Sequence, residues 1–569
     1  MDRRTQIKED GWDVSPRSPA HKSSKKKCLV LRVRLEDEVV ETRAEAPLLT
    51  RAPKSDLRRM TLAIRRAAED RRVAGLILRF AHPEIGWAKA TGLARAVRAF
   101  RSAGKPVVGF LEGAGNLDYA LACSCETLIA HPAATLDLVG LQAESFYFKD
   151  LLARLGIEAE LDAVGEYKSA AEIFTRQEMS EAHREALAAL LADLSEQMEQ
   201  AIAEGRGIPS ARVKEIFDRG PYMAEEAREL GLVDRVGQED VCESLLRERF
   251  GVGVIVQPHT RYPTRDGWLR RILTFRRPQV AVVYAVGVIT STDQHRARPT
   301  PRVVSSRGLS ELLKRVRGSR RVKAVVLRVE SPGGAVVASD LIWREMALTR
   351  EEKPVVVSMG DVAASGGYYI ATAADAILAE PSTLTGSIGI LGGKVVARRL
   401  LDMLGIHRET LSLSRRAGFR SPTRSFTADE RAKLREHLRF FYEKLFLPRV
   451  AQGRGLSPEA VEEVARGRVW TGRQGKERGL VDELGDLEAA IRLARDKAGI
   501  PPQRKVSVVT YTRRPRLREL LSVGMPWGTT SLVRVPGLPA SSVAALLELV
   551  TPLVREKALF LMPWILRIR

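Results

Sequence analysis

The feature that most constrains this chain is an internal repeat. Leu78-Arg79 recurs as Leu327-Arg328, Pro83 as Pro332 and Pro132 as Pro381, each 249 residues later. Pro106-Val107-Val108 recurs as Pro354-Val355-Val356, and Gly231-Leu232-Val233-Asp234 as Gly479-Leu480-Val481-Asp482, both at an offset of 248. Two homologous halves follow, residues 28–256 and 278–500, joined by a basic linker over 257–277 that contains Pro258 and Pro263. Residues 1–27 form a polar tail ending in Lys25-Lys26-Lys27, and residues 501–569 form a C-terminal extension.

Within each half, apolar runs alternate with segments of helical spacing. The first half reads as a strand over 28–33, a helix over 55–70, a strand over 73–78, a helix over 88–102 and a strand over 106–110. The second repeats that order with strand 280–289, helix 309–316, strand 322–329, helix 338–349 and strand 354–359. A further helix is expected over Ile370 to Ala376. Strands alternating with helices argue for parallel βαβ units, so the fold class is α/β, in two tandem copies.

At 569 residues the chain exceeds what one core can organise. Lys and Arg number 92 against 70 Asp and Glu, a net charge of +22 that suits an anionic membrane surface. No RNA-stacking aromatic motif and no zinc-finger spacing accompanies it, so nucleic acid is not an expected partner. The four cysteines are too scattered for a disulfide framework, and buried free thiols are expected. Neither an N-terminal apolar h-region nor an uncharged apolar run of about 18 residues occurs, so the expected location is cytoplasmic or peripheral to a membrane.

The halves differ where chemistry could occur. Ala363-Ala364-Ser365-Gly366-Gly367 follows a strand and opens a helix, and Ser365 faces Asn116 at an offset of 249 or Leu117 at 248. Asn116 and Asp118 read as solvated loop residues. The strand end Glu330-Ser331-Pro332-Gly333-Gly334 faces Ala81-His82-Pro83-Glu84-Ile85, so the first half lacks both the nucleophile and the glycines. Conversely, Lys168 in Gly165-Glu166-Tyr167-Lys168-Ser169-Ala170 falls opposite Arg420, which cannot act as a base.

A serine hydroxyl needs a base within hydrogen-bond reach, and no histidine lies in a recognisable triad motif. A desolvated lysine can serve if burial lowers its pKa, which makes Lys168 the candidate base for Ser365. The N–H groups of Gly334 and Gly366 are candidate oxyanion donors, because glycine lets the backbone approach closely. Ser387, in Pro381-Ser382-Thr383-Leu384-Thr385-Gly386-Ser387-Ile388-Gly389, could orient the lysine. Glu166 and Asp361 carry unassigned charges.

Taken together and in order, these four motifs and the tandem duplication resemble the signal peptide peptidases of the long protease IV type. The resemblance spans about Cys28 to Gly499 and implies a ClpP/crotonase-like fold. It further implies a Ser-Lys dyad cleaving remnant signal peptides through an acyl-enzyme, without cofactor or metal. By the same resemblance Ser365 is the nucleophile, Lys168 the base, Ser387 its orienting partner, and Gly334 and Gly366 the oxyanion donors of a homotetramer. Long-form relatives commonly begin with a membrane-anchoring helix, whereas this chain begins with a charged tail. The apolar stretches Val543 to Leu549 and Ala558 to Leu566 suit either an interfacial helix or a packed or subunit contact. Two other readings compete with the peptidase: a crotonase-like acyl-CoA enzyme, and an inert membrane-surface scaffold that binds peptides.

Overall fold

The computed structural model describes residues 27–42, 55–263, 277–291 and 303–512, and the backbone strands at 559–561 and 567–568. The basic tail up to Lys26, most of the linker and Val543 to Leu549 lie outside the described residues.

In the first half, strands β1 (Cys28–Val40), β2 (Val73–Glu84), β3 (Val107–Leu111) and β4 (Thr127–Ala130) pair in parallel, in the spatial order β4-β3-β2-β1. The second half builds the same core from β6 (Gln279–Val286), β8 (Val322–Ser331) and β10 (Val355–Ala364). These runs are buried almost throughout, as parallel strands covered on both faces must be. Helices cover them with apolar stripes. In α1 (Leu57–Glu69) the buried residues Leu57, Met60, Ala63, Ile64 and Ala67 fall at three- and four-residue spacing, and Asp56 caps the helix by accepting from Arg59 N at 2.9 Å. Each sheet is closed at one edge by a late strand, Val254–Pro258 beside β1 and Ser507–Tyr511 beside β6. The second repeat's sheet therefore draws on residues of the C-terminal extension.

The repeat is visible in side-chain bonds as well. Tyr119 donates to Leu232 O at 2.6 Å, and Tyr368, 249 positions on, donates to Leu480 O at 3.0 Å. The recurring Gly-Leu-Val-Asp has a common task. Asp234 accepts from Leu128 N at 2.6 Å and is bound by Arg206, while Asp482 accepts from Ile377 N at 2.7 Å and is bound by Arg454. All four cysteines are free thiols, three of them buried.

Two sequence expectations require correction. Asn116 is not a solvated loop residue: it is buried at the start of α3 (Asn116–Ala122), with Nδ2 donating to Gly140 O at 2.7 Å and Oδ1 accepting from Val139 N at 3.1 Å. Asp118 is half-buried beside it, and burial pushes its carboxyl up to about 6. The helix placed over Ile370 to Ala376 runs instead over Gly366–Ala371 (α7), because Tyr369 N already donates to Ser365 O at 2.8 Å.

A smaller six-stranded sheet joins the halves. Its order is Val303–Ser305, β7 (Val288–Thr290), β9 (Gly333–Ala335), β13 (Leu559–Leu561), β12 (Ile390–Val396) and β5 (Glu158–Val164). β5 belongs to the first half, yet pairs antiparallel with β12 along its whole length, from Ile390 opposite Val164 to Val396 opposite Glu158. Buried and partly buried ion pairs reinforce the junction. Arg328 holds Glu41 at 2.8 and 3.1 Å, Arg95 holds Glu380 at 2.9 Å, and Lys89 bonds Asp361.

Candidate active site

The strand β10 delivers Ser365 to a sharp turn. Its backbone has φ 54° and ψ −115°, a conformation unfavourable for any residue with a Cβ. The turn is fixed from both sides, Ser365 N donating to Gly386 O at 2.8 Å and Ser365 O accepting the first bond of α7. Ser387 also has positive φ, 51°, so two strained serines stand on adjoining segments.

Lys168 reaches the same point from the first half. The pairing of β5 with β12 carries the chain to Gly165, whose φ of 103° turns it inward. A Cβ on Gly165 would stand 2.5 Å from Arg466 O, and one on Gly467 would stand 2.6 Å from Lys168 N, so both positions require glycine. Tyr167 N donates to Arg466 O at 2.9 Å, Gly467 N to Ile388 O at 2.7 Å and Ser387 N to Arg468 O at 2.7 Å. The segment 466–468 thus ties the lysine-bearing turn to the Ser387 turn. These three bonds are made by backbone atoms, which no motif marks beforehand, and Arg468 adds a guanidinium 4.8 Å from the Tyr167 ring.

Lys168 is 3% exposed, and its Nζ lies 2.7 Å from Ser365 Oγ, 2.9 Å from Ser387 Oγ and 2.9 Å from Ser387 O. Burial holds its pKa well below the ordinary lysine value. A neutral amine has two N–H donors and one lone pair. The Ser387 carbonyl can only accept, so it takes one N–H. If Ser387 Oγ accepts the other, the lone pair is left to receive the Ser365 O–H.

Gly334 and Gly366 adjoin the serine. A Cβ at Gly334 would stand 2.0 Å from Ile289 O, and one at Gly366 would stand 2.8 Å from Ser339 Oγ and 3.1 Å from Gly334 N. Gly333, with φ 106°, makes the turn into β9, and its N–H donates to Ser331 Oγ at 3.2 Å. Ser339 Oγ donates to Ala335 O at 3.0 Å. Neither serine was singled out from sequence, although Ser331 opens the Ser-Pro-Gly-Gly motif.

The structure therefore brings Ser365, Lys168, Ser387, Gly334 and Gly366 together. It leaves Glu166 at the surface against Arg466 at 3.3 Å, and Asp361 in the junction against Lys89. Arg420 is exposed, with its guanidinium 5.8 Å from the Phe419 ring.

The model of peptidase family S49 matches residues 99–252 and 347–501, once in each half. The chain belongs to peptidase family S49. As a family S49 member it is a serine-type peptidase, and the two matched stretches fall one in each of its tandem α/β repeats. It is 35% identical over 456 residues to the chloroplastic serine protease SPPA of Arabidopsis thaliana, a match covering 79% of this chain and 66% of that one. It is 34% identical over 451 residues to Protease 4 of Salmonella typhi, covering 77% of this chain and 71% of the relative. Among solved structures, a ClpP1 mutant from Listeria monocytogenes aligns with 39% of this chain and 99% of its own, at 18% identity and a TM-score of 0.25. No helix among the described residues of this S49 chain is long and apolar enough to cross a membrane.

Proposed function

We propose that this chain is an endopeptidase working through a Ser365–Lys168 dyad on extended peptides such as remnant signal peptides. The observation that carries the reading is the 2.7 Å approach of a buried amine to the hydroxyl of a serine at a strained strand-to-helix turn. Ser365 Oγ attacks the scissile carbonyl carbon while its proton passes to Lys168 Nζ. The carbonyl oxygen becomes an oxyanion and accepts from the N–H groups of Gly334 and Gly366. Collapse breaks the C–N bond, the lysine ammonium protonates the departing amine, and an ester to Ser365 remains. Water attacks that ester and gives a proton to Lys168, and as the C–Oγ bond breaks the lysine ammonium returns the proton to Ser365 Oγ and the acid is released. Ser387 keeps the amine aimed by accepting one of its N–H bonds.

The proposal extends to a homotetramer at an anionic membrane surface, supported by the family resemblance and the charge of +22. Native mass measurement and co-sedimentation with anionic vesicles test these two parts. For the chemistry, purified Ser365→Ala and Lys168→Ala proteins are expected to keep the wild-type circular dichroism spectrum and lose peptide hydrolysis. Hydrolysis retained by either variant refutes the dyad.

A further inference from the structure

One strand of the sheet that holds the site comes from far along the C-terminal extension. Leu559–Leu561 lies between β9 and β12, antiparallel to both. Gly333 stands opposite Leu561, Gly334 opposite Phe560 and Ala335 opposite Leu559, and on the other side Leu391 stands opposite Leu559. Without this strand the sheet would divide into two pieces, leaving a slot about 10 Å across, two inter-strand spacings. Both walls of that slot would present unpaired backbone N–H and C=O groups.

The walls are the site. One is β9, which carries Gly334. The other is β12, whose far edge pairs with β5, the strand that leads to Lys168. Cα atoms of Leu559–Leu561 also come within 8 Å of those of α7, the helix that begins beside Ser365. A chain held here therefore runs beside the helix that the nucleophile opens.

We infer that this slot is the peptide-binding groove and that Leu559–Leu561 occupies it as an internal pseudosubstrate, leaving when a peptide enters as an extended apolar strand. The inference rests on the peptidase reading of the site. Its chemistry follows from the occupant. Ala558-Leu559-Phe560-Leu561-Met562 carries no charge, although Arg555-Glu556-Lys557 precede it and Arg567 follows. Backbone pairing on two sides supplies affinity for any strand, and an apolar one loses least on leaving water. Pro563 has no N–H with which to prolong a ladder, so the pairing is short by composition. A second anchor follows, where Arg567–Ile568 pairs antiparallel with Ala143–Glu144 of the first half. The tether keeps the segment at high effective concentration, so a free peptide binds with its affinity reduced by the fraction of chains whose slot is open.

The test uses full-length protein carrying Phe560→Pro or, separately, Leu561→Pro, each of which removes an N–H from the strand. In a Ser365→Ala background, a fluorescent Ala-Leu-Phe-Leu-Met peptide is expected to bind about tenfold tighter to either proline variant than to the parent, as release from a slot open about a tenth of the time requires. With Ser365 present, KM for an uncharged peptide is expected to fall by a similar factor while kcat stays unchanged. Hydrogen exchange along Gly333–Ala335 reports displacement of the strand independently, as lost protection at the alternate N–H groups that face it. Unchanged binding and unchanged exchange in both variants overturn the pseudosubstrate. Tighter binding with no hydrolysis by any Ser365 protein upholds the groove and its occupant while refuting the peptidase reading.

Discussion

Lys168 and Ser365 stand 197 positions apart in sequence, in different repeats, and their side chains meet at 2.7 Å inside the protein. Neither half holds both groups, so the junction between the halves is the site.

Under the proposed mechanism the lysine sets the pH dependence of activity. Its amine must be neutral to take the serine proton, and burial lowers its pKa well below 10.5. Activity is expected to rise with pH through that lowered value and then hold, with the acid limb of kcat/KM missing from any Lys168 variant that retains measurable turnover. A pH–rate profile on a peptide substrate checks this.

The same burial costs stability. Between the lowered pKa and the unfolded value of about 10.4, the unfolded chain binds more protons than the folded one, so wild-type stability rises with pH across this window. Lys168→Met removes the effect. The variant is expected to gain on wild type near neutral pH, and the gap is expected to narrow as pH approaches about 10. Urea denaturation at two pH values measures it.

Ser387→Ala removes one acceptor from Lys168 and leaves the Ser387 carbonyl in place at 2.9 Å. A net hydrogen bond of about 1 kcal/mol predicts a fall in kcat of about fivefold. Lys168→Ala, by contrast, is expected to cost about 10²–10⁴-fold, the usual contribution of a general base. Steady-state kinetics on the two variants separates a positioning group from the base.

Gly366→Ala would place a methyl group 2.8 Å from Ser339 Oγ and 3.1 Å from Gly334 N, one of the two proposed oxyanion donors. The expected result is a folded protein with kcat reduced about 10²–10³-fold, as for loss of an oxyanion donor. Thermal melting alongside kinetics distinguishes this from unfolding.

Much of this was legible in the sequence because the repeat supplies an internal comparison. Ser365 against Asn116, and Lys168 against Arg420, mark what each half lacks, and glycines at 333, 334 and 366 announce close backbone approach. The remainder depends on pairings that carry no motif. Arg466–Arg468 ties the lysine turn to Ser387 through three backbone hydrogen bonds that no residue type announces, and Leu559–Leu561 reaches the site across nearly the whole second repeat. Asn116 reads as a polar loop residue until its amide is seen closing the loop at Val139 and Gly140. The start of α7 was misplaced because small residues over 370–376 look as helical as Gly366–Ala371, and only the bond from Tyr369 N to Ser365 O fixes the boundary.

The most direct measurement is the site and rate of modification by a fluorophosphonate, followed by peptide mass spectrometry on wild type and on Lys168→Met. The account predicts a single adduct on Ser365 in wild type and its near-complete loss in the variant. An adduct on another residue, or Ser365 labelled equally fast without the lysine, contradicts it.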